Sequence, residues 1–283
     1  MQTSVRVARA PRMTWRATRL AAGAALMLSP PASMSAQQMT RTLVAVLAHP
    51  DDETPVGPVL ARYAREGMQV YLIIATNGGQ GAGSGPRPDS IPRGEELTRT
   101  RAEEARCAAE ALGVHPPILL DFPDAKLGDY AADRMLLYRV SARIAEELQR
   151  LRPDALITWG PEGGVGHPDH RLVGDIVAQL VRAGAPGAPE RVFYMYIPPE
   201  GLRAINPQRG EPPLMIPQTK YLTVHVPFTP ADLEAAQRAM GCHRSQFTPE
   251  VLQRMLPLQA RSWNGSVTLA PWIPGVGGTD LFR

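Results

Sequence analysis

The chain has 283 residues with 30 basic and 27 acidic side chains, which gives a formal net charge of +3. Five arginines and no acidic residue lie within residues 1–36, so the rest of the chain carries a formal charge of −2. This balance excludes the strong positive charge that is typical of nucleic-acid-binding proteins. The remainder, about 245 residues, is long enough to bury a substantial core as one domain.

The amino-terminal segment has the pattern of a secretory signal. An arginine-rich stretch up to Arg19 precedes an apolar run at Leu20–Leu28, and small residues follow as far as Ala36. This order predicts a signal peptide over residues 1–36 and an exported protein, either periplasmic or extracellular. The apolar run falls far short of the ~20 residues that span a bilayer, so we expect no stable membrane anchor.

Strand-like apolar runs alternate with helical patterns through most of the remaining sequence. Strands are predicted at Thr42–Ala48, Val70–Thr76, Ile118–Asp121, Ala155–Trp159 and Arg191–Ile197. Helices are predicted at Val56–Glu66, Glu95–Leu112, Asp133–Gln149 and Pro168–Arg182. Nearly continuous hydrophobicity in the strands indicates a sheet covered on both faces. The alternation therefore predicts an α/β fold, with a mostly parallel sheet and helices on both faces, in a single domain over residues 37–283.

The carboxyl-terminal part, residues 198–283, has a loop-rich pattern. It contains several prolines, a predicted strand at Tyr221–Pro227, a predicted helix at Pro230–Cys242 and a tail that we expect to be irregular. The chain has two cysteines, Cys107 and Cys242. Export would permit a disulfide between them, but two free or buried thiols are the favoured interpretation.

Two clusters of imidazole and carboxylate groups follow the ends of predicted strands. The first is His49-Pro50-Asp51-Asp52-Glu53, directly after the first strand. The second is Gly166-His167-Pro168-Asp169-His170, which follows the strand at Ala155–Trp159. In open α/β sheets, ligands bind beyond the carboxyl ends of the strands. Both clusters are therefore predicted to lie at the edge of the sheet where a site is expected.

The residue types in these clusters suit a catalytic metal. His49 and Asp52 are three residues apart and face the same way if Pro50 starts a helical turn, and His170 can complete three protein ligands. Three ligands with a position open for water are the pattern of catalytic zinc, whereas structural zinc sites are closed by four. Imidazole and carboxylate ligands favour Zn²⁺, with Fe²⁺ as the alternative metal.

The remaining groups of the clusters can transfer protons. Asp51 points elsewhere on the turn and can accept the proton of a metal-activated water as general base. His167 can donate a hydrogen bond to an oxyanion or protonate a leaving amine, and Asp169 can orient one of the imidazoles. The alternative is that Asp51, Asp52 and Asp169 cap the helices that follow them.

Several short motifs occur in a characteristic order along the chain. They are Ala48–Glu53, Thr76–Gly79, Arg101–Glu104 leading to Leu112–Val114, Phe122–Asp124, Gly166–His170 and His243–Gln246. In these motifs the chain resembles the LmbE-like, or PIG-L, family of zinc-dependent N-deacetylases. The two His-Pro-Asp clusters are specific as a pair, and the other motifs support them.

The resemblance implies a Rossmann-like fold and hydrolysis of the acetamide of an N-acetylglucosamine-type sugar or conjugate, or of another amide. It implies that His49, Asp52 and His170 hold zinc. It also implies that Asp51 is the base and that His167 stabilises the tetrahedral intermediate. The expected partner is thus a small molecule or glycan that carries an N-acetyl amino sugar.

The resemblance further implies that Arg101 and Asp124 contact substrate. The alternatives are an ordinary surface ion pair of Arg101 with Glu104 and a turn role for Asp124. One position departs from the family pattern, because several members have a tyrosine where this chain has Val165. The oxyanion then relies on zinc and His167, or a tyrosine comes from elsewhere in the chain.

Other candidate residues carry weaker signals. His243 and Gln246 are as consistent with packing as with substrate contact. The Gly-rich stretch Gly78–Gly85 lacks a complete G-x-G-x-x-G, which argues against a dinucleotide loop and favours a loop at the rim of the site.

Two rival functions remain open at the level of sequence. A non-haem iron oxygenase also uses two histidines and one carboxylate, but the common enzymes of that type are all-β. A non-catalytic exported glycan-binding module is the second rival, and it would need neither Asp51 nor His167.

Overall fold

A seven-stranded sheet forms the centre of the computed structural model, which describes residues 40–81, 83, 93–198 and 217–283. The predicted signal segment lies outside the described residues. The strands are β1 (Thr42–Leu47), β2 (Gln69–Thr76), β3 (Ile118–Phe122), β4 (Ala155–Trp159), β5 (Val192–Met195), β6 (Val224–Pro227) and β7 (Ser266–Pro271). Their spatial order is β3-β2-β1-β4-β5-β7-β6. Strands β1 to β5 are parallel, and β7 is antiparallel to both β5 and β6.

Helices cover both faces of this sheet. They are α1 (Gly57–Arg65), α2 (Gly94–Leu112), α3 (Arg134–Leu151), the one-turn α4 (Gly163–Gly166), α5 (Pro168–Arg182), α6 (Pro230–Met240) and α7 (Pro249–Trp263), with 3₁₀ turns at Leu127–Ala131 and Thr219–Tyr221. Apolar residues of α1, α2 and α6 pack on one face, and those of α3 and α5 pack on the other. Within the described part of the chain, no helix combines the length and apolar character needed to cross a membrane.

Strand β1 shows why the strand segments of the sequence are almost entirely apolar. Leu43 and Leu47 belong to the core on one face, Val44 and Val46 belong to the core on the other, and all four are fully buried. A half-exposed strand would alternate with polar residues instead. The prediction of an α/β fold with a mostly parallel, doubly covered sheet is confirmed.

The strand order places the predicted clusters together. Strands β1, β2 and β3 proceed in one direction across the sheet, and β4 and β5 proceed in the other. The reversal falls between β1 and β4, whose carboxyl ends carry the two His-Pro-Asp clusters. A crevice at such a reversal is the expected ligand site of an open α/β sheet.

The carboxyl-terminal part is more regular than predicted. The strand predicted to begin at Tyr221 begins at Val224, because Thr219–Tyr221 forms a 3₁₀ turn. Helix α7 and strand β7 were not predicted. Asn264 and Gly265 both have positive φ angles, which turn the chain from the helix into the strand. The Asn-Gly pair is a turn signal that could have indicated this boundary.

The favoured interpretation of free thiols is wrong. Cys107 on α2 and Cys242 just after α6 form a disulfide, with a Cα–Cα distance of 5.8 Å. The two helices pack side by side on the same face of the sheet, which brings together cysteines 135 residues apart in sequence. This proximity follows from helix packing, so spacing along the sequence could not reveal it.

The Cys107→Ser, Cys242→Ser double variant is expected to unfold more easily. A cross-link closing a loop of this length removes denatured-state entropy, so the free energy of unfolding should fall by about 2–4 kcal/mol. Denaturant unfolding of the oxidised wild type and the double variant measures this difference. Reduced wild type is the matched control. Equal stability of oxidised and reduced wild type would contradict the assignment.

Candidate active site

A cavity of about 420 Å³ lies at the crevice between the carboxyl ends of β1 and β4. His49 enters it from the end of β1, and His167 and His170 enter it from the start of α5. The structure thus brings residues from the two clusters to one place. The arrangement follows from the parallel pairing of β1 with β4, which aligns the ends of the two strands.

Three potential metal ligands converge inside this cavity. His49 Nδ1 lies 3.0 Å from His170 Nε2, and Asp52 Oδ1 lies 3.2 Å from His170 Nε2 and 3.7 Å from His49 Nδ1. Ligands about 2.0–2.1 Å from one tetrahedral zinc are roughly 3.3 Å from each other. The three atoms therefore have the mutual spacing that a single zinc ion requires.

Hydrogen bonds behind the two imidazoles hold them in the orientation that metal binding needs. His170 Nδ1 lies 3.0 Å from the carbonyl oxygen of Gly163. His49 Nε2 lies 3.1 Å from Asp124 Oδ1 and 3.3 Å from Asp169 Oδ2. A proton on each of these nitrogens leaves the lone pairs of His49 Nδ1 and His170 Nε2 directed at the metal position.

The two oxygens of the Asp52 carboxylate have different surroundings. Its Oδ2 accepts hydrogen bonds from the backbone N–H groups of Ala48 and His49, at 2.8 and 2.9 Å, and from Trp159 Nε1 at 2.9 Å. Burial would raise the pKa of Asp52, but His170 and His49 outweigh it and hold the pKa well below its usual range. Asp52 is therefore a buried carboxylate anion with Oδ1 directed at the two imidazoles.

Three carboxylates likewise lie within 3.7 Å of the His49 imidazole. Burial would lower the pKa of its imidazole, but hydrogen bonds to Asp124, Asp169 and Asp52 raise it well above the usual value. Burial would also raise the pKa of Asp124, yet its bond to His49 lowers it. This concentration of negative charge around His49 suits a divalent cation.

The capping alternatives for the acidic residues are wrong. The cap residue of α1 is Val56, so neither Asp51 nor Asp52 caps that helix. The cap of α5 is His167, whose Nδ1 accepts a hydrogen bond from the N–H of Asp169 at 3.2 Å. The helical turn expected at Pro50 is also absent, because residues 51–56 form hydrogen-bonded turns and the helix begins later.

Asp51 occupies a strained backbone position beside the candidate metal ligands. Its φ angle is +102°, a region that L-residues with a side chain rarely adopt. Its Oδ1 lies 2.8 Å from Arg101 Nη2, and its side chain is 21% exposed and lines the cavity. Burial raises the pKa of Asp51, with Arg101 opposing this effect. A raised pKa suits a group that must take up a proton near neutral pH.

Arg101 holds the loop that carries Asp51. Its guanidinium also donates hydrogen bonds to the carbonyl oxygens of Pro50 and Gly78. Arg101 and Glu104 are both buried, and the Glu104 carboxylate accepts bonds from the backbone N–H and hydroxyl of Ser245. The alternative of a surface pair between Arg101 and Glu104 is therefore wrong.

Asp124 and Asp169 both lie behind His49. Asp124 Oδ2 accepts a hydrogen bond from the N–H of Gln80, and its Oδ1 faces the imidazole. Asp169 accepts bonds from the N–H groups of Ala125 and Leu127 in addition to its contact with His49. Backbone N–H groups therefore hold both carboxylates in place. An orienting role was predicted for Asp169 but not for Asp124.

Asp169→Asn is expected to weaken metal binding by about 10–100-fold, because partners behind a metal-binding histidine contribute about that much. The amide cannot serve all three N–H groups that now point at the carboxylate. Competition with a chromogenic chelator measures the affinity, and Asp175→Asn, at an exposed site on the same helix, is the control. Equal affinity of the two variants would contradict the orienting role.

Comparisons with known proteins agree with the geometry of the site. The model of the "GlcNAc-PI de-N-acetylase" (PIG-L) family matches residues 44–181, which include both clusters. A "1D-myo-inositol 2-acetamido-2-deoxy-alpha-D-glucopyranoside deacetylase" from Rhodococcus jostii is 30% identical over 74% of this chain and 82% of its own length. The chain belongs to the PIG-L family. It is therefore an amide hydrolase of the deacetylase type.

Solved structures of two further proteins share the fold of this PIG-L protein. N,N′-diacetylchitobiose deacetylase from Pyrococcus horikoshii has a TM-score of 0.61 and 18% identity, over 84% of this chain and 85% of its own. The 4-carboxy-2-hydroxymuconate hydratase GalB from Pseudomonas putida has a TM-score of 0.55 and 20% identity, over 84% of this chain and 98% of its own. A deacetylase and a hydratase thus share this fold, so the fold alone does not determine the reaction.

His167 differs from the other two imidazoles of this PIG-L protein. Because its Nδ1 accepts the N–H of Asp169, the neutral ring carries its proton on Nε2. Burial lowers its pKa, and His49 and His170 lower it further. The half-buried ring lines the cavity, and its centroid lies 4.7 Å from that of the His49 ring. His167 is thus a neutral hydrogen-bond donor at pH 7.

The departure from the family pattern at Val165 is visible in the structure. Val165 lies on the cavity wall and is 41% exposed. Among the described residues that line this cavity there is no tyrosine, so no described tyrosine replaces the one found in several members. His167, two residues after Val165, also lines this cavity and can donate a hydrogen bond from Nε2.

The remaining candidates divide between packing and the cavity. His243 is fully buried, and its Nε2 lies 2.6 Å from Glu53 Oε1. Burial would lower the pKa of His243, but Glu53 raises it. Gln246 lines the cavity, as do Gln80 and Gly81 of the glycine-rich stretch. The bond of Glu53 to His243 and that of Trp159 to Asp52 join distant residues, so only the tertiary structure reveals them.

Proposed function

We propose that this protein is an exported, zinc-dependent N-deacetylase that removes the acetyl group from an N-acetylglucosamine unit of a saccharide or conjugate. The observation that carries the proposal is the convergence of three candidate ligand atoms, from His49, Asp52 and His170. The other polar atom of each side chain is hydrogen-bonded, and Asp51, with its strained backbone, lies next to them. A module that only bound glycans would need no such group at a strained position.

The side chains divide the reaction between them. Bound zinc would polarise the acetyl carbonyl and lower the pKa of water from 15.7 to about 7. Asp51 accepts the proton of the attacking water at Oδ2, because Arg101 occupies Oδ1. His167 donates its Nε2–H to the developing oxyanion. Asp51 then returns the proton to the leaving nitrogen, so that acetate and a free amine are released.

Substrate class and export have separate support. The names of the relatives refer to N-acetylated glucosamine derivatives, and the cavity is open enough to admit a sugar ring. The signal-like segment and the disulfide between Cys107 and Cys242 both suit an oxidising compartment outside the cytoplasm. Amino-terminal sequencing of protein recovered from the periplasm or medium tests export, and an intact Met1 on intracellular protein would contradict it.

Acetate release and metal content test the activity together. Purified protein is assayed with N-acetylglucosamine, N,N′-diacetylchitobiose and an inositol-linked N-acetylglucosamine, before and after chelation and restoration with zinc. We expect acetate release that chelation abolishes and zinc restores. Oxygen consumption with iron would favour the oxygenase. Calorimetric binding without any acetate release would favour the glycan-binding module.

A further inference from the structure

A second cavity, of about 690 Å³, lies on the other side of the loop that leads from β4 to α5. Its wall is rich in aromatic side chains, namely Tyr194, Tyr196, Tyr221 and Trp272. None of these residues takes part in the metal centre, and the cavity is larger than the catalytic one.

The two cavities share a wall. Pro161 and Glu162 line the second cavity, whereas Val165 and His167, only a few residues later, line the catalytic one. The segment after β5 also separates the cavities, because Tyr196 lines the second cavity and the next residue, Ile197, lines the catalytic one. A ligand that extends from the catalytic cavity needs to pass only one loop to enter the second.

The aromatic wall suits the apolar faces of sugar rings. Tyrosine and tryptophan combine a flat apolar face with a polar tip, so they can contact ring C–H groups and hydroxyls at once. Tyr221 is 50% exposed and lines the cavity, so a ligand can reach its ring. Burial raises the pKa of Tyr194 to about 12, so its phenol keeps its proton and can donate to a sugar oxygen.

Glu162 supplies the polar anchor. Its Oε1 is buried and has no hydrogen-bond partner in the described part of the chain. Burial raises the pKa of this carboxyl, although a hydrogen bond from its own backbone N–H and the charge of Arg171 oppose the effect. A buried carboxylate oxygen without a donor is costly, and a saccharide hydroxyl would satisfy it.

The charges around the cavity favour a neutral ligand. Lys220 places its ammonium 4.9 Å from the ring centre of Tyr221, and Arg171 donates to the carbonyl oxygen of Pro161 and faces the carboxylate of Glu162. Among the described residues, the rim therefore mixes both signs of charge and lacks the cluster of cations that recognises phosphate.

We infer that the second cavity is a saccharide subsite that binds the neutral sugar units next to the acetylated one. This inference rests on the proposed function, because it concerns the same substrate. It makes the enzyme selective for oligosaccharides over monosaccharides, since only a longer ligand reaches both cavities.

Tyr221→Ala and Glu162→Gln test the subsite, with Tyr138→Ala as the matched control. Tyr138 is 63% exposed on α3, away from both cavities. For N,N′,N″-triacetylchitotriose we expect each test variant to lower kcat/KM by about tenfold, the effect of losing one stacked ring or charged hydrogen bond. For N-acetylglucosamine we expect no change, and the control should match wild type with both substrates. Equal losses with the two substrates, or no loss with the trisaccharide, would overturn the subsite.

Calorimetry separates failure of the subsite from failure of the proposed function. If wild type releases no acetate from any saccharide, the proposed function fails. Triacetylchitotriose is then titrated into wild type and into the same variants. Binding that is weakened by Tyr221→Ala and by Glu162→Gln but not by Tyr138→Ala supports the saccharide site independently of catalysis. Absence of binding to wild type, or equal binding to all four proteins, overturns it.

Discussion

Asp51→Asn is expected to retain its metal and to lose about 10²–10⁴-fold in kcat, the usual contribution of a general base. The amide keeps the shape of the carboxylate and the contact with Arg101, but it cannot accept the proton of water. Acetate release at saturating substrate measures kcat, and elemental analysis measures zinc. Turnover close to that of wild type with full metal content would refute the base assignment.

A second pair of variants separates the chemistry of Asp51 from its backbone strain. Asp51→Gly and Asp51→Ala both lack the carboxylate, so both should be inactive. Glycine accepts the φ angle of +102° without steric cost, whereas alanine does not. We therefore expect the glycine variant to be more stable than the alanine variant by about 1–2 kcal/mol. Thermal unfolding measures the difference, and equal stability would show that the backbone relaxes when the side chain is removed.

Asp52→Asn is expected to lose more than about 100-fold in metal affinity while keeping most of its stability. The amide oxygen can replace Oδ2 as acceptor for Ala48, His49 and Trp159, but the amide nitrogen then faces the metal position and offers no lone pair. Loss of a residue that only hydrogen-bonds to a metal ligand lowers metal affinity by about 10–100-fold, so loss of a ligand itself should lower the affinity more. Activity should fall with the metal content.

Asp52→Ala provides the contrast, because it removes the ligand and the acceptor together. Three buried donors then lose their partner, and each such loss costs about 1–3 kcal/mol. The alanine variant should therefore be less stable than the asparagine variant by several kcal/mol, with similar loss of metal. Chelated samples of both proteins, unfolded in denaturant, isolate the structural part. Equal stability would mean that the Oδ2 hydrogen bonds contribute little.

The sequence correctly predicted two elements that position the site, β4 and α5. The bounds of β4 and α5 agree with the structure, since an apolar run with sharp boundaries and a Pro-initiated amphipathic helix are strong local signals. The candidate ligands His49, Asp52 and His170 were also predicted from local motifs at strand ends. These features depend on short stretches of chain, where sequence patterns are most informative.

Features that depend on distant contacts were not predictable in the same way. The ion pair of Arg101 with Asp51 and the hydrogen bond of Glu53 with His243 each join residues from different elements. Residue type and helical spacing gave no information about which residues these side chains contact. Their burial arises when α2 and the segment after α6 pack over the first cluster, which no local pattern encodes.

The candidate metal ligands come from distant parts of the chain, which has a consequence for assembly. His49 and His170 are 121 residues apart and come from the two halves of the sheet that meet at β1 and β4. A fragment that ends before β4 would keep only two of the three ligands and could not hold the ion tightly. A metal bound by these ligands would therefore link the two halves, and tight binding would become possible only after translation has passed the second cluster. Metal retention would then report whether both halves have come together.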